Sequence, residues 1–170
     1  MQLGHKTIPK EFLNSLPEGI KYVVKNGKDF LVVEQLFCPE GHSLMVNNVR
    51  MHGESSIRLK VKLGKSEGNI FVDAFWGSHD KLYSFMCKYT DEDLMEEEVC
   101  CPTCGCSLIV ENETPCEVCG SIKSIELILP GINNKILVCA KVGCPQHKLI
   151  AKEVSPKISE IVSDINYFGL

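Results

Sequence analysis

The chain repeats one pattern twice, as CPTCG at residues 101–105 and as CEVCG at residues 116–120. In a tight turn, two cysteines three positions apart can point both sulfurs at one ion, and the glycine behind them suits a left-handed backbone. A tetrahedral zinc ion takes four such ligands, with Zn–S bonds of about 2.3 Å. The doubled spacing therefore predicts one metal site, with four ligands: Cys101, Cys104, Cys116 and Cys119.

The segment between the two cysteine pairs predicts a short strand at residues 107–110 and a turn at residues 111–115. With these elements, residues 101–120 resemble a zinc ribbon, in which two metal-binding turns are joined by a hairpin. The resemblance covers residues 101–120 only and identifies no family for the whole chain.

Iron is an alternative metal, because rubredoxin-like centres also bind one iron through Cys-x2-Cys-Gly pairs. No aromatic residue lies between Cys101 and Gly120 to shield such a redox centre, so zinc is the favoured ion. Disulfides would require an oxidising compartment, and residues 1–9 lack the apolar core of a signal peptide. We therefore expect a cytoplasmic protein whose cysteines are reduced and bound to metal.

Charge and hydropathy exclude several classes of partner. The chain has 170 residues, a net charge of −4, 44% hydrophobic and 24% charged residues, and no apolar run near the length of a membrane span. From Asp91 to Gly120 every charged residue is acidic. Because nucleic-acid binding requires cations that neutralise phosphates, this stretch disfavours DNA or RNA and makes another protein the expected partner. The sequence does not define an oligomeric state.

A second group of cysteine and histidine residues joins the two ends of the chain. Its members are Cys38, His42, Cys139, Cys144 and His147. A closed site needs four ligands, so we predict a second site from the first four, with His147 as a substitute for His42 or an outer partner. A loosely held fifth group would leave the ion open to water, as a metalloenzyme requires. Cys87, Cys100 and Cys106 are interpreted as bystanders.

Strand patterns dominate the rest of the chain, so the predicted class is α+β, mostly β. Asn26-Gly27 predicts a type I′ hairpin between residues 21–25 and 29–33, which we expect to be buried on both faces. A second hairpin is predicted from residues 58–63 and 70–76, with its turn at 65–69. Further strands are expected at residues 81–87, 124–129 and 135–139.

Helices are predicted at both ends of the chain. The first covers residues 8–16. The second begins at Ser155-Pro156, carries an apolar face of Ile158, Ile161, Val162 and Ile165, and stops near Gly169.

The predicted organisation is an antiparallel β core of residues 1–98 and 121–170, with a zinc ribbon inserted at residues 99–120. No phosphate-binding loop or nucleophile motif is present, so no catalytic residue and no cofactor beyond the metal is predicted. The favoured function is a non-catalytic zinc protein that presents a surface to another protein. Electron transfer by iron and a metalloenzyme using the second site remain the alternatives.

Overall fold

A computed structural model describes residues 7–63, 66–85, 98–141 and 143–167. Within these residues the chain forms two helices and eleven strands. The helices are α1 (Lys10–Asn14) and α2 (Pro156–Ser163). The strands are β1 (Ile20–Lys25), β2 (Lys28–Val33), β3 (Met45–Met51), β4 (Glu54–Leu63), β5 (Ser66–Val72), β6 (Lys81–Tyr83), β7 (Glu98–Cys100), β8 (Ile109–Glu111), β9 (Lys123–Ile128), β10 (Lys135–Cys139) and β11 (His147–Ile150).

These strands form three sheets, and every pairing between them is antiparallel. β1 and β2 make a two-stranded sheet. A second sheet has the order β3-β4-β5-β6, with β7 paired to the distal part of β4. The third has the order β11-β10-β9-β8. The predicted class, α+β and mostly β with an antiparallel core, is confirmed.

The first hairpin forms as predicted, but its two strands differ in burial. Asn26 and Gly27 have φ angles of 52° and 73°, the positive values that a type I′ turn requires. β2 ends in four buried residues, whereas β1 is largely solvent-facing, with Val24 60% exposed. The expectation of burial on both faces is therefore wrong for β1. Backbone bonds from β2 to residues 74–76 occupy the opposite edge of β2 and bury it in the core.

The second hairpin differs from the prediction in where its turn lies. Residues 66–69, assigned to the turn from composition, belong to β5 and pair with β4 down to Leu63↔Ser66. Gly68 has a structural role in this strand, because a Cβ there would meet Phe85 Cδ1 at 2.6 Å. A glycine in a strand often marks such a close approach. The composition of residues 65–69 is nevertheless typical of a turn, which explains the wrong prediction.

The helices pack on the core near the chain ends. In α1, which falls within the predicted helix, Phe12 is fully buried. At α2 the Ile158 N–H donates to the Ser155 hydroxyl at 3.4 Å, which confirms the predicted N-cap. Val162 and Ile165 are buried, and Trp76 Nε1 donates to the Val162 carbonyl at 2.8 Å. Of the predicted apolar face, Ile161 is 37% exposed, and the other three residues pack on the protein's own core. Gly169 lies outside the described residues.

Segment 99–120 contributes strands to both larger sheets. β7 pairs with β4, and β8 pairs with β9. Backbone bonds also join the two: the Leu108 N–H donates to the Val99 carbonyl at 2.8 Å. The division into a core of residues 1–98 and 121–170 and an inserted ribbon of residues 99–120 stays a prediction.

Candidate metal centres

Four tight turns carry the cysteines predicted to bind metal, and we call each of these turns a knuckle. Knuckle 1 is residues 38–42, knuckle 2 is 101–105, knuckle 3 is 116–120 and knuckle 4 consists of residues 139–141 and 143–144. In the first three, a glycine N–H donates back to the carbonyl of the leading cysteine, at 2.8–2.9 Å. These glycines have positive φ, which lets the turn close without strain from a Cβ.

Knuckles 1 and 2 meet to form the first cluster. It consists of Cys38, His42, Cys101 and Cys104, whose ligand atoms all lie within 4.8 Å of one another. The Cys38 sulfur is 3.8 Å from the Cys104 sulfur and 3.5 Å from His42 Nδ1. Cys38 and Cys101 are 1% and 0% exposed and belong to the hydrophobic core, whereas Cys104 is exposed. The cluster therefore reaches from the core to the surface.

Knuckles 3 and 4 meet to form the second cluster. It consists of Cys116, Cys119, Cys139 and Cys144, again with all four sulfurs within 4.8 Å of one another. The Cys116–Cys144 and Cys119–Cys139 sulfur distances are 3.8 Å and 3.4 Å. Cys139 is buried and the other three are partly exposed. Two ligands come from the β8–β9 connection, and the other two from the end of β10 and the connection that follows it.

The sulfur spacings fit a tetrahedral ion. With Zn–S bonds of about 2.3 Å, neighbouring sulfurs in a tetrahedron are about 3.8 Å apart. The sulfur pairs at 3.4–3.8 Å lie close to that value and far from the S–S bond length of about 2.05 Å. Both clusters could therefore hold a metal ion.

The structure groups the predicted ligands differently from the sequence interpretation. Cys101 and Cys104 lie with Cys38 and His42, not with Cys116 and Cys119. The reason is topological, because a zinc ribbon needs an outgoing and a returning strand between its knuckles. Residues 105–115 provide a single strand, β8. Knuckle 2 precedes β8 and knuckle 3 follows it, so they lie at opposite ends of that strand.

The second predicted group is divided in the same way. Cys38 and His42 belong to the first cluster, whereas Cys139 and Cys144 belong to the second. His147 is in neither: its Nδ1 and Nε2 lie 2.9 Å from the carbonyl oxygens of Pro145 and Ile165. The five-group site that would have supported a metalloenzyme is therefore not assembled. The same nine side chains are arranged as two sets of four plus a buried histidine.

Burial raises the pKa of two of the four thiols of the second cluster. Desolvation raises the pKa of Cys144 to about 11 and raises the pKa of Cys139 further. Without a cation these thiols hold their protons at neutral pH. A metal ion must displace these protons because it binds the thiolate, so metal binding at this cluster releases protons.

Of the three cysteines interpreted as bystanders, one lies beside a cluster. Burial, followed by hydrogen bonds with Cys104 and Cys38, raises the pKa of Cys106 to about 12. Cys100 is buried in β7, and Cys87 lies outside the described residues. The sequence position of Cys106 indicates this proximity, because Cys106 directly follows knuckle 2, as Ser121 follows knuckle 3.

A third group, His52, Asp73 and Asp80, is already occupied by internal hydrogen bonds. His52 Nδ1 lies 2.7 Å from Asp73 Oδ2, and His52 Nε2 lies 3.5 Å from Asp80 Oδ2. The buried Asp73 carboxylate also accepts from the Phe75 N–H and the Ser78 hydroxyl. These bonds attach the β3–β4 turn to the segment after β5, which is a structural role.

The fold and the two clusters together define a class: an α+β, mostly β protein with two Cys/His groups that could bind metal ions. Comparison of the chain with family models, curated proteins and solved structures gave no match. Among the described residues, neither helix combines the length and apolarity that crossing a bilayer would require.

Proposed function

We propose that this protein is a non-catalytic zinc protein: one zinc ion joins the segment after β2 to the segment after β7, a second joins two connections of one sheet, and a surface groove binds another protein. The observation that carries the metal assignment is the assembly of two separate sets of four ligands, each compact enough for one ion. Four protein ligands fill a tetrahedral ion and leave no position for substrate or water. Both sites therefore fit a structural role better than a catalytic one.

The ligand types favour zinc over iron. The first cluster includes His42 beside three cysteines, whereas a rubredoxin-like iron is bound by four thiolates. The second cluster has four cysteines, which suit either metal. If one metal fills both sites, zinc suits both ligand sets. Electron transfer by iron is therefore the alternative function. Thiolate ligands must be reduced, which fits a cytoplasmic protein.

The groove proposed for the partner lies over the outer face of the β11-β10-β9-β8 sheet. It has a volume of about 510 Å³, and its lining includes four glutamates and two lysines. One of those lysines, Lys135, is paired with Glu126 at 3.1 Å. A four-thiolate zinc site carries a further net charge of about −2, and Cys116 and Cys139 border the groove. The net negative charge suits a basic, extended segment of another protein and disfavours nucleic acid.

Metal content tests the first half of this proposal. Elemental analysis of protein purified from a reducing cytoplasm should give two equivalents of zinc per chain. Fewer than two equivalents of metal, or disulfides among the eight ligands, would overturn the structural-zinc proposal. Two equivalents of iron, with visible charge-transfer bands, would establish the electron-transfer alternative instead.

Binding of a labelled peptide of alternating lysine and valine tests the second half. Fluorescence anisotropy should show binding that weakens with salt and weakens several-fold in the variant Glu111→Gln/Glu113→Gln. The matched control, Glu18→Gln/Glu34→Gln, removes two exposed carboxylates outside the groove and should bind as the wild type does. Equal loss in both variants would show a non-specific charge effect and remove the groove as the binding surface.

A further inference from the structure

β1 is an edge strand, and its outer edge takes part in none of the described strand pairings. In a hairpin with a two-residue turn, Lys25 and Lys28 form the first hydrogen-bonded pair, and such pairs then alternate along the two strands. Every second residue of β1 therefore directs its N–H and C=O toward β2, whereas Tyr22 and Val24 direct theirs away. Among the described residues, no hydrogen bond involves these outward backbone groups of Tyr22 and Val24.

The bonds at the other margin of the hairpin agree with this alternation. Leu31 of β2 lies opposite Tyr22, and its carbonyl faces away from β1, where it accepts from the Trp76 N–H at 2.8 Å. Two residues further on, the Val33 N–H donates to the Ala74 carbonyl at 2.8 Å. The chain itself therefore occupies the β2 margin of this sheet, and a further strand can be added only along β1.

The β1 edge lacks the features that usually keep a second strand away from a sheet edge. Its six residues pair with β2 without a register shift, and none of them is a proline. Its lysines are held by the adjoining β3–β4 hairpin: Lys21 pairs with Glu54 at 2.8 Å, and Lys25 donates to the His52 carbonyl at 3.2 Å. The outward backbone groups are therefore accessible to an extended segment.

The charges beside this edge favour an acidic partner. Residues 20–28 contain three lysines and no acidic residue. Lys25 and Arg50 donate to neighbouring carbonyls of the β3–β4 turn, those of His52 and Gly53. In the described part of the chain, neither cation is paired with a carboxylate. Because like charges on facing strands destabilise a pair, a second copy of β1 is disfavoured as the partner.

We propose that the outer edge of β1 binds an extended segment of another protein in which acidic and apolar residues alternate. The segment adds a third strand to the hairpin and exchanges backbone hydrogen bonds with Tyr22 and Val24. Its apolar side chains lie beside those of Tyr22 and Val24, which are 40% and 60% exposed. Its acidic side chains lie on the opposite face, near Lys25. This partner has the opposite charge from the one proposed for the groove, and its binding does not depend on the metal sites.

A backbone variant of the full-length protein tests the proposal with a labelled peptide of alternating glutamate and valine. Val24→Pro removes one outward N–H and leaves the β1–β2 hydrogen bonds in place, since an edge strand tolerates proline where its N–H faces solvent. By fluorescence anisotropy we expect a roughly tenfold loss of affinity, equivalent to one or two backbone hydrogen bonds. The matched control, Val24→Thr, keeps the N–H and the branched side chain and should bind as the wild type does. Circular dichroism during heating should show a cooperative transition for both variants.

N-methylated peptides test the same hydrogen bonds on the wild-type protein, where no variant has to fold. In antiparallel pairing, the residues opposite Tyr22 and Val24 share their face and direct their N–H groups toward β1. A peptide methylated at its valine nitrogens should therefore lose binding, whereas one methylated at its glutamate nitrogens should keep it. The reverse result would also support the added strand, with parallel orientation.

The charge preference is tested with Lys25→Gln/Lys28→Gln, which should bind the unmodified peptide several-fold more weakly. The matched control, Lys152→Gln/Lys157→Gln, removes two exposed lysines outside the hairpin and should bind as the wild type does. Equal loss in both double variants would show a non-specific charge effect and contradict the inference.

Three further results would overturn the inference. Equal affinity of the two methylated peptides, or full affinity of Val24→Pro, would show that no backbone pairing takes place. Absence of binding by the unmodified peptide would refute the acidic partner. Dimerisation of the protein alone, abolished by Val24→Pro, would assign this edge to a second copy instead.

Discussion

The first and second clusters have nearly the same ligand chemistry but join very different lengths of chain. The first brings Cys38, in the connection after β2, to Cys101 at the end of β7. The second joins turns within one sheet, between residues 116 and 144. Closing a longer loop costs more conformational entropy, so an ion at the first cluster would enforce an arrangement that the chain reaches less readily alone.

Burial separates the two clusters as well. Cys38 and Cys101 are part of the continuous hydrophobic core, whereas Cys139 is buried outside it and the other three cysteines of the second cluster are partly exposed. An ion in the first cluster would connect distant segments at the core, whereas an ion in the second would only stiffen one sheet. The difference depends on which elements the ligands connect.

The largest effect is expected from Cys38→Ser/Cys101→Ser, which removes two core ligands of the first cluster. A structural zinc contributes on the order of 10 kcal/mol to folding, and a domain of ordinary stability has about 5–15 kcal/mol in total. We expect this variant to lose its cooperative unfolding transition, measured by near-ultraviolet circular dichroism during heating.

Cys100→Ser is the matched control for that variant, because Cys100 is a buried cysteine next to Cys101 but belongs to neither cluster. It should keep both metal equivalents and a sharp transition at slightly lower temperature. If the control unfolds as completely as the double variant, burial of a hydroxyl rather than loss of metal would explain both results.

A smaller and more local effect is expected from Cys116→Ser/Cys119→Ser. This variant should lose one metal equivalent and keep the other, because no ligand of the first cluster is changed. Hydrogen exchange followed by mass spectrometry should show faster exchange in residues 112–122 and 139–147, with β4 and β5 protected as in the wild type. Loss of both metals, or faster exchange in β4, would show that the second cluster also supports the whole fold.

The smallest effect concerns a contact between the two larger sheets. The ring of His79, between β5 and β6, lies 5.8 Å from the ring of His147 in β11. Burial lowers the pKa of both imidazoles. In the unfolded chain these two imidazoles become protonated below their ordinary pKa of about 6.5, whereas in the folded chain they stay neutral to lower pH. Their contribution to the free energy of unfolding should therefore be fully present above about pH 6.5 and fall as the pH drops below it.

His79→Gln tests this contribution, because glutamine can still hydrogen-bond to Asn166 but cannot be protonated in this range. The free energy of unfolding, from denaturant titration between about pH 7.5 and 5.5, should fall less in the variant than in the wild type. Metal content must be measured at each pH, since acid also protonates the ligands. Identical slopes would mean that His79 does not contribute to acid sensitivity.

Local features of this molecule were predictable from sequence because a few neighbouring residues determine them. Asn26-Gly27 predicted the hairpin turn, and Ser155-Pro156 predicted the start of α2. The spacing of the cysteines predicted the knuckles. The same reasoning misplaced the turn before β5, because the contact between Gly68 and Phe85 joins residues whose proximity only the folded sheet reveals.

The grouping of the ligands was not predictable in the same way. It depends on whether the chain between Cys104 and Cys116 forms one strand or two, and a short stretch such as residues 107–115 fits both. The pairing of β4 with β7 and of β8 with β9 decides it. Long-range strand order therefore sets which knuckles share an ion, even where each knuckle is recognisable alone.

The packing of α2 beside β11 determines how this protein can associate through its backbone. The Leu149 N–H donates to the Ser163 hydroxyl at 2.9 Å, and the Ser159 hydroxyl donates to the Leu149 carbonyl. These serines satisfy polar groups that another chain could otherwise pair with. At the far margin, the segment that leads into β8 is already joined to β7, because the Leu108 N–H donates to the Val99 carbonyl at 2.8 Å. Filament growth by repeated strand addition needs two open margins, so the closed β11 margin makes this sheet a poor unit for a continuous stack.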